Sequence, residues 1–156
     1  MNPHANPQAA QNYLKTKVLT ATPEQLQLML YDGALRFGEQ ARVALEKRNY
    51  EQSYNMISRV QRIITEMQSS LKPKVAPDLC QKLAALYNYI YRRLIEANVD
   101  HKVEALDEAL NLLRYQRETW TMLLDQLGKT KAAAAATKLD MPAPDARMEQ
   151  SIRISA

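Results

Sequence analysis

A chain of 156 residues, 46% apolar and 24% charged, is enough for one domain with a substantial core. Its three glycines, Gly33, Gly38 and Gly128, are too few for glycine-rich phosphate loops or a turn-rich β fold, and abundant Ala, Leu, Gln, Glu, Lys, Arg and Met favour helix. The net charge of +4 is spread thinly, with 16 basic and 14 acidic side chains over residues 1–128 and five and three over 129–156, which argues against a nucleic-acid binder.

Residues 1–21, with Pro3 and Pro7, read as an extended or loosely helical N-terminal segment. Thr22-Pro23-Glu24-Gln25 is the clearest helix start: Thr22 caps, Pro23 suits the first helical position, and Gln25 reaches back as in a capping box. The helix it opens is predicted to run to about Lys47, with Leu26, Leu30, Ala34, Phe37, Ala41, Ala44 and Leu45 as its apolar stripe. Asn49 caps a second helix from Tyr50 to about Leu71, whose seam is Ile57, Val60, Ile64, Met67 and Leu71. Pro73 and Pro77 frame a turn, and Pro77 opens a third helix to about Asn98, carrying Leu79, Leu83, Leu86, Ile90, Leu94 and Ala97 inward. Asp100 is expected to cap a fourth helix ending at Gly128, with the seam Val103, Leu106, Leu110, Leu113, Arg117, Trp120, Leu124 and Leu127. Residues 129–156, with the alanine run 132–136, are expected to form a flexible tail. Short turns between amphipathic helices imply an all-α, antiparallel four-helix bundle over 22–128, with the N-terminal segment packing on it.

No catalytic chemistry emerges from the same residues. Neither His4 nor His101 follows a Glu by three positions, as a di-iron carboxylate bundle requires, and both read as solvated histidines. Cys80 is the single cysteine, so there is no disulfide and no Cys-x-x-Cys metal site; it reads as a small packed side chain. Nucleophile elbows, Walker loops and dinucleotide fingerprints are missing, so neither enzyme activity nor a metal or other cofactor is expected. The lone cysteine, a start lacking a signal-peptide core, and the lack of a membrane-length apolar run all point to the cytoplasm.

Apolar residues exceed what one stripe per helix needs. Leu28, Met29 and Tyr31 join Leu26 and Leu30, and Tyr87, Tyr89 and Tyr91 surround Ile90. The surplus implies either a wider core or a groove for a partner helix, with core packing the better reading of each residue alone. Arg117 interrupts the fourth seam and needs a carboxylate or carbonyl partner, as a buried or half-buried bridge that sets register.

These residues resemble a known family. Tyr13, Val18, Thr20-Ala21-Thr22-Pro23-Glu24-Gln25-Leu26 and Leu28-Met29-Leu30-Tyr31-Asp32-Gly33-Ala34 are similar to the opening signature of the flagellin-specific export chaperones, the FliS family. The likeness continues through Asn55, Ile57, Gln61, Ile63 and Ile64, then Leu83, Leu86-Tyr87, Tyr89, Arg92-Arg93-Leu94 and Ala97-Asn98, and ends with Leu113, Arg117 and Trp120. Thr22 stands where the signature usually has serine, and the tail after Gly128 lies outside the likeness. The resemblance implies a cytoplasmic bundle that binds the disordered C-terminal segment of flagellin, prevents premature polymerisation and keeps the subunit competent for secretion. It further implies that residues 1–21 cover a groove until flagellin arrives. On this reading Tyr13, Val18, Leu30, Tyr31, Asn55, Gln61 and Tyr87 lie at or beside the client surface, and the flagellar export apparatus is a possible second partner. The alternative is a helical assembly factor with another client.

Overall fold

The computed structural model describes residues 6–139, and these form five α-helices. They are α1 (Pro7–Thr20), α2 (Pro23–Glu46), α3 (Tyr50–Ser69), α4 (Pro77–Asp100) and α5 (Val103–Leu139). Local chemistry sets most of the starts. The Gln25 backbone N–H donates to Thr22 Oγ1 at 3.2 Å and the Thr22 N–H donates to Gln25 Oε1 at 3.0 Å, so the expected capping box is closed at α2. Asn49 Oδ1 accepts from the Gln52 N–H at 3.2 Å and starts α3. Pro77 occupies the first turn of α4 without a side-chain cap before it.

The core runs between α2, α3, α4 and the first part of α5. Ile57, Val60, Ile64 and Met67 from α3 meet Ile90, Leu94 and Ala97 from α4 and Leu106, Leu110 and Leu113 from α5, all fully buried. From α2, Ala34, Ala41 and Leu45 join them. Small residues on α2 let α5 approach closely: a Cβ added at Gly38 would collide with the Leu110 side chain. Ion pairs along the seam fix its direction. Asp32 pairs with Arg117, Glu39 with Arg114 and Asp107 with Arg42, so numbers rise on α2 as they fall on α5 and the two helices are antiparallel. Arg117 thus finds the carboxylate it needs, but the pair is about half-exposed rather than buried, which makes it a weak contributor to stability.

Four expectations are corrected. The N-terminal segment is a regular helix from Pro7, because Pro7 sits in the first turn, where a proline costs nothing, and Asn6 caps it. Asp100 is the last residue of α4 instead of the cap of α5; His101 turns the chain in the left-handed region at φ 54° and stacks on Tyr50 at 3.7 Å. Leu79, placed inward by periodicity, is exposed in the first turn of α4. The stop expected at Gly128 is missing, and α5 continues to Leu139. A glycine ends a helix by adopting positive φ, which Gly128 does not, and the alanines beyond it are strong helix formers. Residues 140–156 of the expected tail lie outside the described residues.

The described residues divide into two units at the boundary between Thr121 and Met122. In the described part of the second, Lys129 and Asp125 pair at 3.3 Å along the helix, and Met122, Leu123, Leu127 and Leu139 are exposed.

Candidate functional site

The seven residues singled out from the sequence fall into three places. Tyr13 and Val18 lie on α1, which buries none of its side chains; Tyr13 is 71% and Val18 42% exposed. Leu14 and Leu19 beside them are exposed too, so this short helix presents four large apolar side chains within seven residues. That is the apolar display a partner helix can use.

Asn55 and Gln61 lie on the outer face of α3. A concavity of about 390 Å³ is lined by Gln52, Tyr54, Asn55, Met56, Ser58, Arg59 and Arg62. A neighbouring one of about 320 Å³ is lined by Ser58, Gln61, Arg62, Thr65, Glu66 and, from α4, Tyr91. Ser58 and Arg62 border both, so the two make one strip along the helix. Sequence reasoning missed Tyr54, Ser58, Arg59 and Arg62. Their spacing with Asn55 and Gln61, by threes and fours, was the signal that joins them to one face.

Tyr31 and Tyr87 are placed elsewhere. They are 4% and 1% exposed, and their hydroxyls are 3.1 Å apart, bridging α2 and α4 inside the core. Burial, reinforced by the hydrogen bond to Tyr31, pushes the Tyr87 phenol above its ordinary range. In this conformation neither ring faces a partner; both are core, as the broader reading of surplus aromatics has it. Leu30, next to Tyr31, is half-buried against the same core. Trp120 closes the end of this layer, its indole N–H donating to the Glu24 carbonyl at 2.9 Å.

Among the described residues no group of three or more His, Cys, Asp or Glu side chains is placed to hold a metal ion, and no helix is long and apolar enough to cross a membrane.

A family model described as flagellar protein FliS matches residues 5–127, which takes in α1 to α4 and α5 as far as Leu127. The chain belongs to the FliS family. It is 32% identical over 126 residues to the flagellar secretion chaperone FliS of Bacillus subtilis, covering 81% of this chain and 92% of that protein. Against the flagellar secretion chaperone FliS of Escherichia coli it is 32% identical over 112 residues, 71% of this chain and 82% of that one. A crystal structure of a flagellar chaperone from bacteria superposes with a TM-score of 0.63 at 20% identity, covering 78% of this chain and 98% of that chain, and so shares the helical fold. The FliS relatives are named as chaperones, and the chain is a non-catalytic protein of that kind. The FliS match ends close to Gly128, so the helical extension from Lys129 to Leu139 lies beyond it.

Proposed function

We propose that this chain is a cytoplasmic export chaperone that binds the C-terminal segment of flagellin, holds off its polymerisation and keeps it fit for flagellar secretion. The observation that carries this reading is the FliS match over residues 5–127, with relatives named as flagellar secretion chaperones. The surfaces give it a physical basis. A segment that is disordered before assembly lays its apolar face on exposed apolar side chains, and the area it covers offsets the entropy of ordering it. Tyr13, Leu14, Val18 and Leu19 on α1 offer such side chains, and Asn55 and Gln61 on α3 offer amides for the backbone. Tyr31 and Tyr87 tie α2 to α4 inside the core through their hydroxyls.

Light scattering during seeded polymerisation of purified flagellin tests the proposal. One equivalent of the chaperone is expected to abolish filament growth, and a chain carrying Tyr13→Ala and Val18→Ala to restore it in part. Undiminished growth in the presence of excess chaperone would rule the reading out.

A further inference from the structure

Of the nine arginines among the described residues, four are paired across helices and five, Arg36, Arg48, Arg59, Arg62 and Arg92, have no ion-pair partner there; three of those five gather on one side of the bundle. Arg42, Arg93, Arg114 and Arg117 stand on the seams that α5 makes with α2 and α4, each engaged by a carboxylate of a facing helix: Asp107, Glu108, Glu39 and Asp32 in turn. Arg36, Arg59 and Arg62, on the side where α2 meets α3, have no ion-pair partner among the described residues. Instead the guanidinium carbons of Arg36 and Arg59 lie 5.3 and 5.2 Å from the centroid of one ring, that of Phe37. A phenyl ring attracts a cation weakly at an exposed site, so two like charges gathered on it still lack counter-charge. Arg59 and Arg62 then line the larger concavity of α3, and no carboxylate lines it with them.

We propose that this outer face of α3 is a docking strip for a short acidic segment of a protein partner. The fork of a guanidinium matches a carboxylate with two parallel hydrogen bonds, which gives Arg59 and Arg62, with Arg36 beside them, their role. Gln52 and Asn55 carry a donor and an acceptor each and pair with peptide groups of the bound segment. Tyr54, 60% exposed at the same concavity, adds a ring against which an apolar side chain packs. From Gln52 to Arg62 the strip is about 15 Å long, the reach of roughly five extended residues. Charge at its two ends selects a peptide over a nucleic acid. Glu66 lines the adjoining concavity and Glu51 lies in the first turn of α3. A continuous phosphate backbone would meet like charge at both places, whereas a short acidic stretch meets only the arginines. The strip keeps this chemistry whether or not flagellin is the protein that carries the segment.

Fluorescence anisotropy on the full chain tests it with three labelled probes: a decapeptide of glutamates and leucines, the same peptide with glutamine for every glutamate, and an oligothymidylate. The glutamate peptide is expected to bind about tenfold tighter than its glutamine counterpart and to weaken as salt is raised. A chain with Arg59→Gln and Arg62→Gln, its helicity unchanged, should lose that margin. A chain with Lys72→Gln and Lys74→Gln, which removes the same charge from the turn before α4, should keep it. Failure of the glutamate peptide to bind, equal affinity for the two peptides, equal loss in both double variants, or tighter binding of the oligothymidylate would each overturn the proposal.

Discussion

The tyrosine pair between α2 and α4 decides whether two of the seven residues belong to the core or to the client surface. Tyr31→Phe removes one hydroxyl from a hydrogen bond of 3.1 Å and leaves the Tyr87 hydroxyl buried, with the converse for Tyr87→Phe. Losing a buried partner in this way costs about 1–3 kcal/mol, because the remaining polar group has left water without replacement. The double variant removes both hydroxyls and leaves no orphan, so its cost should fall well short of the sum of the singles, with a coupling of about 1–2 kcal/mol. Urea unfolding followed by circular dichroism at 222 nm reads this directly. With a slope of about 2 kcal/mol per molar urea, each single variant shifts the midpoint down by roughly 1 M. Singles that unfold with the parent, or costs that simply add, would refute a coupled buried pair and return Tyr31 and Tyr87 to the surface.

Other consequences follow from the same geometry. Tyr87 keeps its proton in the folded chain above the pH near 10 where the unfolded chain begins to lose it, because burial and the Tyr31 bond raise its pKa. Its contribution is therefore complete below about pH 10 and declines above it by up to about 1.4 kcal/mol per pH unit. Urea midpoints measured across that range should fall more gently in Tyr87→Phe than in the parent. Gly38→Ala forces the Leu110 side chain aside; overpacking of about 1–3 kcal/mol outweighs the gain in helix propensity, and thermal unfolding should report a net loss. Tyr13→Ala and Val18→Ala lie on a helix that buries nothing, so their melting temperatures should match the parent while their affinity for flagellin falls.

Where single residues speak through their neighbours in sequence, the fold was legible. Thr22 to Gln25 closes a capping box, Asn49 caps, Pro77 opens α4, and the stripes through Ile57, Ile64, Ile90, Leu94, Leu106 and Leu113 are the observed core. Positions decided by distant partners were not. Tyr31 meets Tyr87 across 56 residues, and an exposed and a buried tyrosine look alike in a surplus of aromatics. Gly128 carries the residue type of a helix end, but its conformation was settled by the helix-forming residues on both sides. His101 adopts a left-handed turn, a conformation uncommon for non-glycine residues although histidine is among those enriched in it, and the sequence pattern did not point to it. Of the candidate site, Asn55 and Gln61 were named only through the family resemblance, and their place on one face of α3 shows in the structure. The unpaired arginines beside them show only once the paired ones are accounted for.

Calorimetric titration of the full chain with matching flagellin, and with flagellin lacking its C-terminal segment, tests the central claim most directly. The account predicts one-to-one binding to the intact subunit that vanishes on truncation. Equal binding to both, or heat from neither, would contradict it.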